Sequence, residues 1–191
     1  MITIIPSDKV PQGSQEWLDL RAKYISATDA YGLINGASVQ EILRHKNAPQ
    51  TNAFRGNYWT ERGHKLEPEA KEIYSEIYSP TTDVGFVIND KHPFVGCSPD
   101  GLVNKDGMVE VKCFSLKRHY EVNQNLDPHI ICQIQYQLWV TERDWNDLVL
   151  YNPDVDNLKD AMFVHRIYPM KDFQDKFESI FSGLDPSKIT F

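Results

Sequence analysis

Near residue 80 the spacing of apolar side chains changes from helical to alternating, and few architectures accept that order of elements. Before the change, Leu66, Ala70, Ile73, Tyr74 and Ile77 recur at helical spacing within a stretch from about 59 to 78. After a turn-rich connector at 79–83, residues 84–88, 94–97 and 107–114 alternate with period two, and these strands are expected to build a sheet. The most apolar helix follows at 128–141, then strand candidates at 148–151 and 162–168, and an amphipathic closing helix at 171–182. The first part of the chain is helical by its caps. Ser14 precedes residues 15–21, Ser38-Val39-Gln40-Glu41 is a capping box, and Ser26-Ala27-Thr28-Asp29 is a weaker version of one. Pro68 cannot donate a backbone hydrogen bond and crowds the preceding turn, so the helix around it is expected to kink or restart, with Glu67 at the break.

With 191 residues, 41% hydrophobic and 25% charged, the chain has the composition of a soluble protein, and residues 1–191 are expected to form a single domain. No apolar run approaches the roughly 20 residues that span a bilayer, and residues 1–6 lack the basic region of a signal peptide. A cytoplasmic protein with no membrane partner is expected. Cys97, Cys113 and Cys132 form no CxxC pair and read as reduced core residues. The net charge of -7, with its acidic excess heaviest after residue 128, excludes a nucleic-acid coat that works through basic excess. DNA handled at a local site stays open.

The informative segment is Ser98-Pro99-Asp100-Gly101 followed by Glu110-Val111-Lys112. On a strand, Glu110 and Lys112 share one face, while Val109, Val111 and Cys113 point into apolar packing on the other. Pro99-Asp100-Gly101 is turn chemistry, with glycine permitting a positive φ, and a hairpin returning ten residues later can set Asp100 against Glu110. Two carboxylates and a backbone carbonyl suit Mg²⁺, which prefers oxygen and keeps several waters. Lys112 could then orient or deprotonate an attacking water and offset charge on a phosphate. The plainer alternative is a turn aspartate and a Glu110–Lys112 pair on a solvated strand face.

The surroundings of this segment add to it. Trp17-Leu18-Asp19-Leu20-Arg21, Ile25-Ser26-Ala27-Thr28, Gly63-His64-Lys65-Leu66-Glu67, Cys97-Ser98-Pro99-Asp100-Gly101-Leu102, Glu110-Val111-Lys112-Cys113 and Gln133-Ile134-Gln135-Tyr136-Gln137-Leu138-Trp139-Val140-Thr141 occur in that order. Together, over roughly residues 14–154, they closely resemble the phage lambda exonuclease and YqaJ-type viral recombinase family, PD-(D/E)xK nucleases. The resemblance implies an α/β fold with a restriction-endonuclease-like core, a central mixed sheet flanked by helices. It implies a Mg²⁺-dependent 5′-to-3′ exonuclease on linear double-stranded DNA, using two ions, with Mn²⁺ a possible substitute. Asp100, Glu110, the main-chain oxygen of Val111 and Glu67 are the implied metal ligands, and Lys112 the implied catalytic lysine.

Arg21, Ser26 and Thr28 align with that family's pocket for the 5′-terminal phosphate, Arg21 closing an amphipathic helix. The family motif favours Gln133 and Gln135 near the metal centre, although Gln133 and Gln137 lie one turn apart while Gln135 faces elsewhere. Lys117 and Arg118 belong to the one compact basic cluster and could contact backbone phosphates, or could simply be a solvated helix start. Trp17 and Trp139 fall on apolar faces and are expected in the core, and no histidine is given a catalytic role. A homotrimeric ring around DNA, a single-strand annealing protein as partner, and a phage-encoded protein in the host cytoplasm are further implications. Two other readings stay open: a structure- or site-specific endonuclease of the same fold, and a non-catalytic DNA-binding recombination accessory protein.

Overall fold

The alternating segments after residue 80 divide between two sheets. In the computed structural model, which describes residues 1–48 and 58–189, β1 (Ile2–Pro6), β3 (Val84–Asn89) and β4 (Gly96–Cys97) form a three-stranded antiparallel sheet. Strands β2 (Thr81–Thr82), β5 (Gly101–Val103), β6 (Gly107–Lys112), β7 (Trp145–Tyr151) and β8 (Met162–Ile167) form a five-stranded mixed sheet in the order β2-β5-β6-β7-β8. A single sheet holding 84–88, 94–97 and 107–114 is therefore corrected. Pro99 has no N–H, so a ladder running through Gly96–Cys97 cannot continue across it. The chain leaves one sheet at Ser98 and joins the other at Gly101, with Asp100 at the crossing.

Within the larger sheet, β6 and β7 run parallel and the other pairs are antiparallel. A parallel pair needs a long crossover, supplied here by α5 (Leu116–Gln124) and α6 (Pro128–Thr141). Helix α6 is the main apolar element. The Asp127 side chain caps it by accepting from the His129 N–H, and Ile134, Tyr136, Leu138 and Val140 are all buried. It packs with Met108, Leu148 and Leu150 from one sheet face, with Val87 of the smaller sheet, and with Phe177 and Phe181 of α7 (Lys171–Ser182). The other sheet face presents Val109, Val111, Val149 and Tyr151 to Ala70 and Tyr74 of α4 (Tyr58–Ile77). Successive residues of β6 thus look alternately at α6 and at α4.

Three local expectations change. Helix α4 runs through Pro68 without a restart; Pro68 and His64, whose carbonyl loses its donor, are both exposed, so water can take that carbonyl's place. Helix α1 (Gln15–Ala22), capped by Ser14, buries none of its residues, so it is not amphipathic, and Trp17 is only half-buried rather than part of the core. Cys97 and Cys132 are buried and Cys113 partly so, all three free thiols. Helices α2 (Ala30–Ile34) and α3 (Val39–Asn47) complete the first part, α3 beginning with the Ser38–Glu41 capping box. No helix among the described residues is long and apolar enough to cross a membrane.

Candidate active site

The β5–β6 hairpin sets Gly101 against Val109, Leu102 against Met108 and Val103 against Gly107. One step further along that register, Asp100 lies across from Glu110. The Val111 N–H donates to Asp100 Oδ2 at 2.7 Å, fixing the carboxylate at the strand end. Gly101 is needed there for space rather than for a left-handed backbone, since its φ is not positive. A Cβ at that position would lie 2.9 Å from Val109 Cγ1 and 3.3 Å from Thr81 Cβ.

Glu110 is 2% exposed, on the α6 face of β6. Its Oε1 accepts from Lys112 Nζ at 2.6 Å and from Gln133 Nε2 at 2.5 Å, and its Oε2 from Gln137 Nε2 at 2.7 Å. Gln137 in turn accepts from Asn146 Nδ2 of β7 at 3.0 Å. A carboxylate taken this far out of water persists only with such donors around it. Burial raises the Asp100 carboxyl well above its ordinary range, and the charges of Glu110 and Glu67 raise it further. For Lys112, burial works against the ammonium, but Glu110 and Asp100 more than compensate, so its pKa is raised and it is a cation at neutral pH.

These groups open onto one cleft of about 1570 Å³, lined by Asp100, Glu110, Val111, Lys112, Glu67 and Gln133 among others. Sites for small ligands typically measure roughly 300–1,000 Å³, so this one has room for a length of polymer. Glu67 reaches it from α4, with Oε1 3.6 Å from Lys71 Nζ. Lys71 also donates to Asp83 Oδ1 at 2.8 Å and to the Asp100 carbonyl at 3.1 Å. Among the described residues no three His, Cys, Asp or Glu side chains stand grouped closely enough to hold an ion. The donor set nevertheless fits Mg²⁺, which takes one or two carboxylates and keeps waters. Asp100, Glu110, Glu67 and the Val111 carbonyl are all hard oxygen donors, and the repulsion that raises Asp100 is what a cation would relieve.

Farther along the same cleft lie Arg21, Ser26 and Thr28. Arg21 Nη2 donates to Thr28 Oγ1 at 3.0 Å and to Ser26 Oγ at 3.3 Å, and the guanidinium lies 4.5 Å over the Trp17 ring. Burial lowers the Arg21 pKa, while Asp29 and Glu110 pull it back, so the guanidinium senses the carboxylate cluster. Trp17 Nε1 donates to Ser98 Oγ at 2.9 Å, and Ser98 donates to the Gly85 carbonyl at 2.9 Å. Trp17, Ser98 and Lys71 are thus cleft residues that sequence reasoning missed. Helical spacing for Trp17 pointed instead to the core, and the turn around Ser98 masked its position.

Two residues singled out from the sequence are not brought to the cleft. Gln135 is fully buried on another side of α6, donating to the Tyr168 carbonyl at 2.9 Å and accepting from the Met170 N–H at 2.7 Å. The 3.6-residue turn that sends Gln133 and Gln137 to Glu110 sends Gln135 away. Gln137 takes the inner place instead. Lys117 is 87% exposed beside Glu121 on the outer face of α5, whereas Arg118 lines the cleft while paired with Asp127. His64 is the one histidine of the cleft lining among the described residues.

The fold is that of solved nucleases. An alkaline exonuclease from Laribacter hongkongensis, LHK-Exo, superposes with a TM-score of 0.76 at 27% identity, covering 88% of this chain and 89% of the other. The same exonuclease in complex with dAMP gives 0.77 at 26%, covering 87% and 88%. A phage-related exonuclease from Haemophilus somnus 129PT shares the fold at 0.56 and 15% identity, covering 83% and 90%. No curated protein sequence matches the chain. The class that fold and cleft define is that of the phage-type alkaline exonucleases, DNA nucleases. The YqaJ-like viral recombinase domain matches residues 16–144, and the chain belongs to that family.

Proposed function

We propose that the chain is a Mg²⁺-dependent exonuclease that degrades the 5′-ended strand of linear double-stranded DNA and leaves 3′ single-stranded overhangs for recombination of the phage type. The observation that carries this reading is that Arg21, Ser26 and Thr28 open onto the cleft that holds Asp100, Glu110 and Lys112. A planar guanidinium with two hydroxyls suits a terminal phosphate, and an enzyme cutting within a strand has no need of one. The dAMP bound to LHK-Exo is the kind of mononucleotide such a reaction releases.

Asp100, Glu110, Glu67 and the Val111 carbonyl would hold two Mg²⁺ ions, or Mn²⁺ in their place. Bound there, the ions supply Lewis acidity and charge stabilisation to an in-line displacement at phosphorus. The chain's own groups do the rest. Gln133 and Gln137 hold the Glu110 carboxylate in one orientation, and the Val111 N–H holds Asp100. Lys112, kept protonated by its carboxylate neighbours, places an ammonium at the cleft wall to offset charge on the attacked phosphate. Arg118 adds a cation for the DNA backbone. A homotrimeric ring, a single-strand annealing partner and residence in a bacterial host cytoplasm complete the reading.

Its test is digestion, with Mg²⁺, of a linear duplex phosphorylated at one 5′ end, beside a covalently closed circle. Shortening of the phosphorylated strand from its 5′ end with the circle intact is expected. Cutting of the circle would make the protein an endonuclease, and no cutting with either metal would make it an accessory DNA-binding protein.

A further inference from the structure

Behind the end pocket lies a cation that its sequence position did not announce. Lys46, in the last turn of α3, sends Nζ to three acceptors: Asp29 Oδ2 at 2.5 Å, the Tyr24 carbonyl at 2.8 Å and Ser26 Oγ at 3.1 Å. An ammonium has three protons to give, and each has a taker. Asp29 Oδ2 also accepts from the Ser26 N–H and from Ser26 Oγ, both at 2.8 Å. Ser26, 3% exposed, therefore sits between two cations, Arg21 and Lys46, and one carboxylate. The Lys46 and Asp29 side chains are 19% and 17% exposed, so their charges are only partly screened by water.

We infer that Lys46 is a positioning residue that sets the preference for a 5′-phosphate: by neutralising Asp29 it keeps the Arg21 guanidinium beside Thr28 at the cleft, where a terminal phosphate would bind, with Ser26 holding the two cations and Asp29 in register behind them. The inference rests on the end-pocket reading above. Without the ammonium, Asp29 is a partly buried carboxylate that still has the Arg21 guanidinium as a charged neighbour among the described residues. The guanidinium is then drawn from Thr28 toward Asp29, and an arriving phosphate dianion meets an uncompensated negative charge. With Lys46 in place, the two cations outnumber the Asp29 carboxylate by one, and the net charge has the sign that attracts a phosphate. Burial lowers the Lys46 pKa, Asp29 offsets part of that, and Arg21 lowers it further.

The experiment compares kcat and KM on otherwise identical duplexes ending in 5′-phosphate or 5′-hydroxyl, for the wild type, Lys46→Met, Lys46→Arg, Asp29→Asn and the Lys46→Met/Asp29→Asn pair. Lys46→Met is expected to lower kcat/KM on phosphorylated ends roughly five- to tenfold, through KM, with hydroxyl ends changed less than twofold. Lys46→Arg and the double variant should recover most of the preference, and Asp29→Asn alone, which needs no change at Lys46, should strengthen it. Equal losses on both ends, or a double variant no better than Lys46→Met, would show a structural role and overturn the inference. Should Lys46→Met not fold, an Asp29→Asn variant with unchanged or weakened preference overturns it equally. A wild type that ignores the 5′-phosphate refutes the end-pocket reading itself, whereas a wild type that prefers it, with Lys46→Met unaltered, refutes the role of Lys46 alone.

Discussion

Replacing Gln137 by leucine should destabilise the metal-free protein by about 2–4 kcal/mol, and the structure says why. The side chain is fully buried, donates to Glu110 Oε2 at 2.7 Å and accepts from Asn146 Nδ2 at 3.0 Å. A hydrogen bond to a charged group is worth about 1.5–3 kcal/mol, and a buried donor left without a partner costs about 1–3 kcal/mol. The apolar surface of leucine returns roughly 1.5 kcal/mol of that. Asn146 depends on Gln137, because its own Oδ1 has no partner among the described residues. Removing both polar groups together is less costly than stranding one, so Gln137→Leu/Asn146→Leu should regain about 1–2 kcal/mol over the single variant. Urea denaturation at neutral pH, with wild type and both variants side by side, measures this. A loss below about 1 kcal/mol for the single variant, or a double variant less stable than the single, would refute the claim that this amide chain holds Glu110.

Because burial and neighbouring carboxylates raise Asp100, its ionised form penalises the metal-free fold at neutral pH, and the penalty is relieved as pH falls through the raised value toward the ordinary range near about 4. Asp100→Asn should therefore raise the melting temperature of metal-free protein at pH 7.5, with a gain that shrinks on acidification; no gain at neutral pH would contradict this. Gly107→Ala puts a Cβ 2.1 Å from Trp145 Cζ2, so the indole that also carries Arg166 at 3.7 Å must shift, at about 1–3 kcal/mol, and thermal melting should register it. Gln135→Ala should lower melting by releasing Tyr168 and Met170 yet leave the cleavage rate within about twofold, and a large rate loss in a well-folded variant would place Gln135 in the chemistry after all.

Where one periodicity or one short hairpin decides the matter, this site is legible in the sequence. Nine residues lie between Asp100 and Glu110, a tight antiparallel return brings the two level, and strand alternation sends Glu110 and Val111 to opposite sides. Helical spacing equally separates Gln133 and Gln137 from Gln135, although a motif treated as a unit blurs that distinction. The rest depends on pairings between distant segments. Nothing local says that residues 84–89 pair with residues 2–6, since β1 is a short edge strand, or that Pro99 divides one extended run between two sheets. Lys46 sits in a basic last turn that the helix dipole alone would explain, and its contact with Asp29 exists only once α3 folds back on the turn that leads into α2. Trp17 misled because helical spacing describes a face without saying whether a core or a cleft meets it.

The most direct test of the centre itself is the Mg²⁺-dependent rate at which Lys112→Ala shortens a linear duplex, measured beside its Mg²⁺-binding isotherm and those of the wild type. With the oxygen donors of Asp100, Glu110, Glu67 and Val111 left in place, the variant should still bind Mg²⁺ while its cleavage falls by at least about a hundredfold. A variant that binds Mg²⁺ and cleaves at the wild-type rate would mean that the Asp100–Glu110–Lys112 cleft is not where DNA is cut.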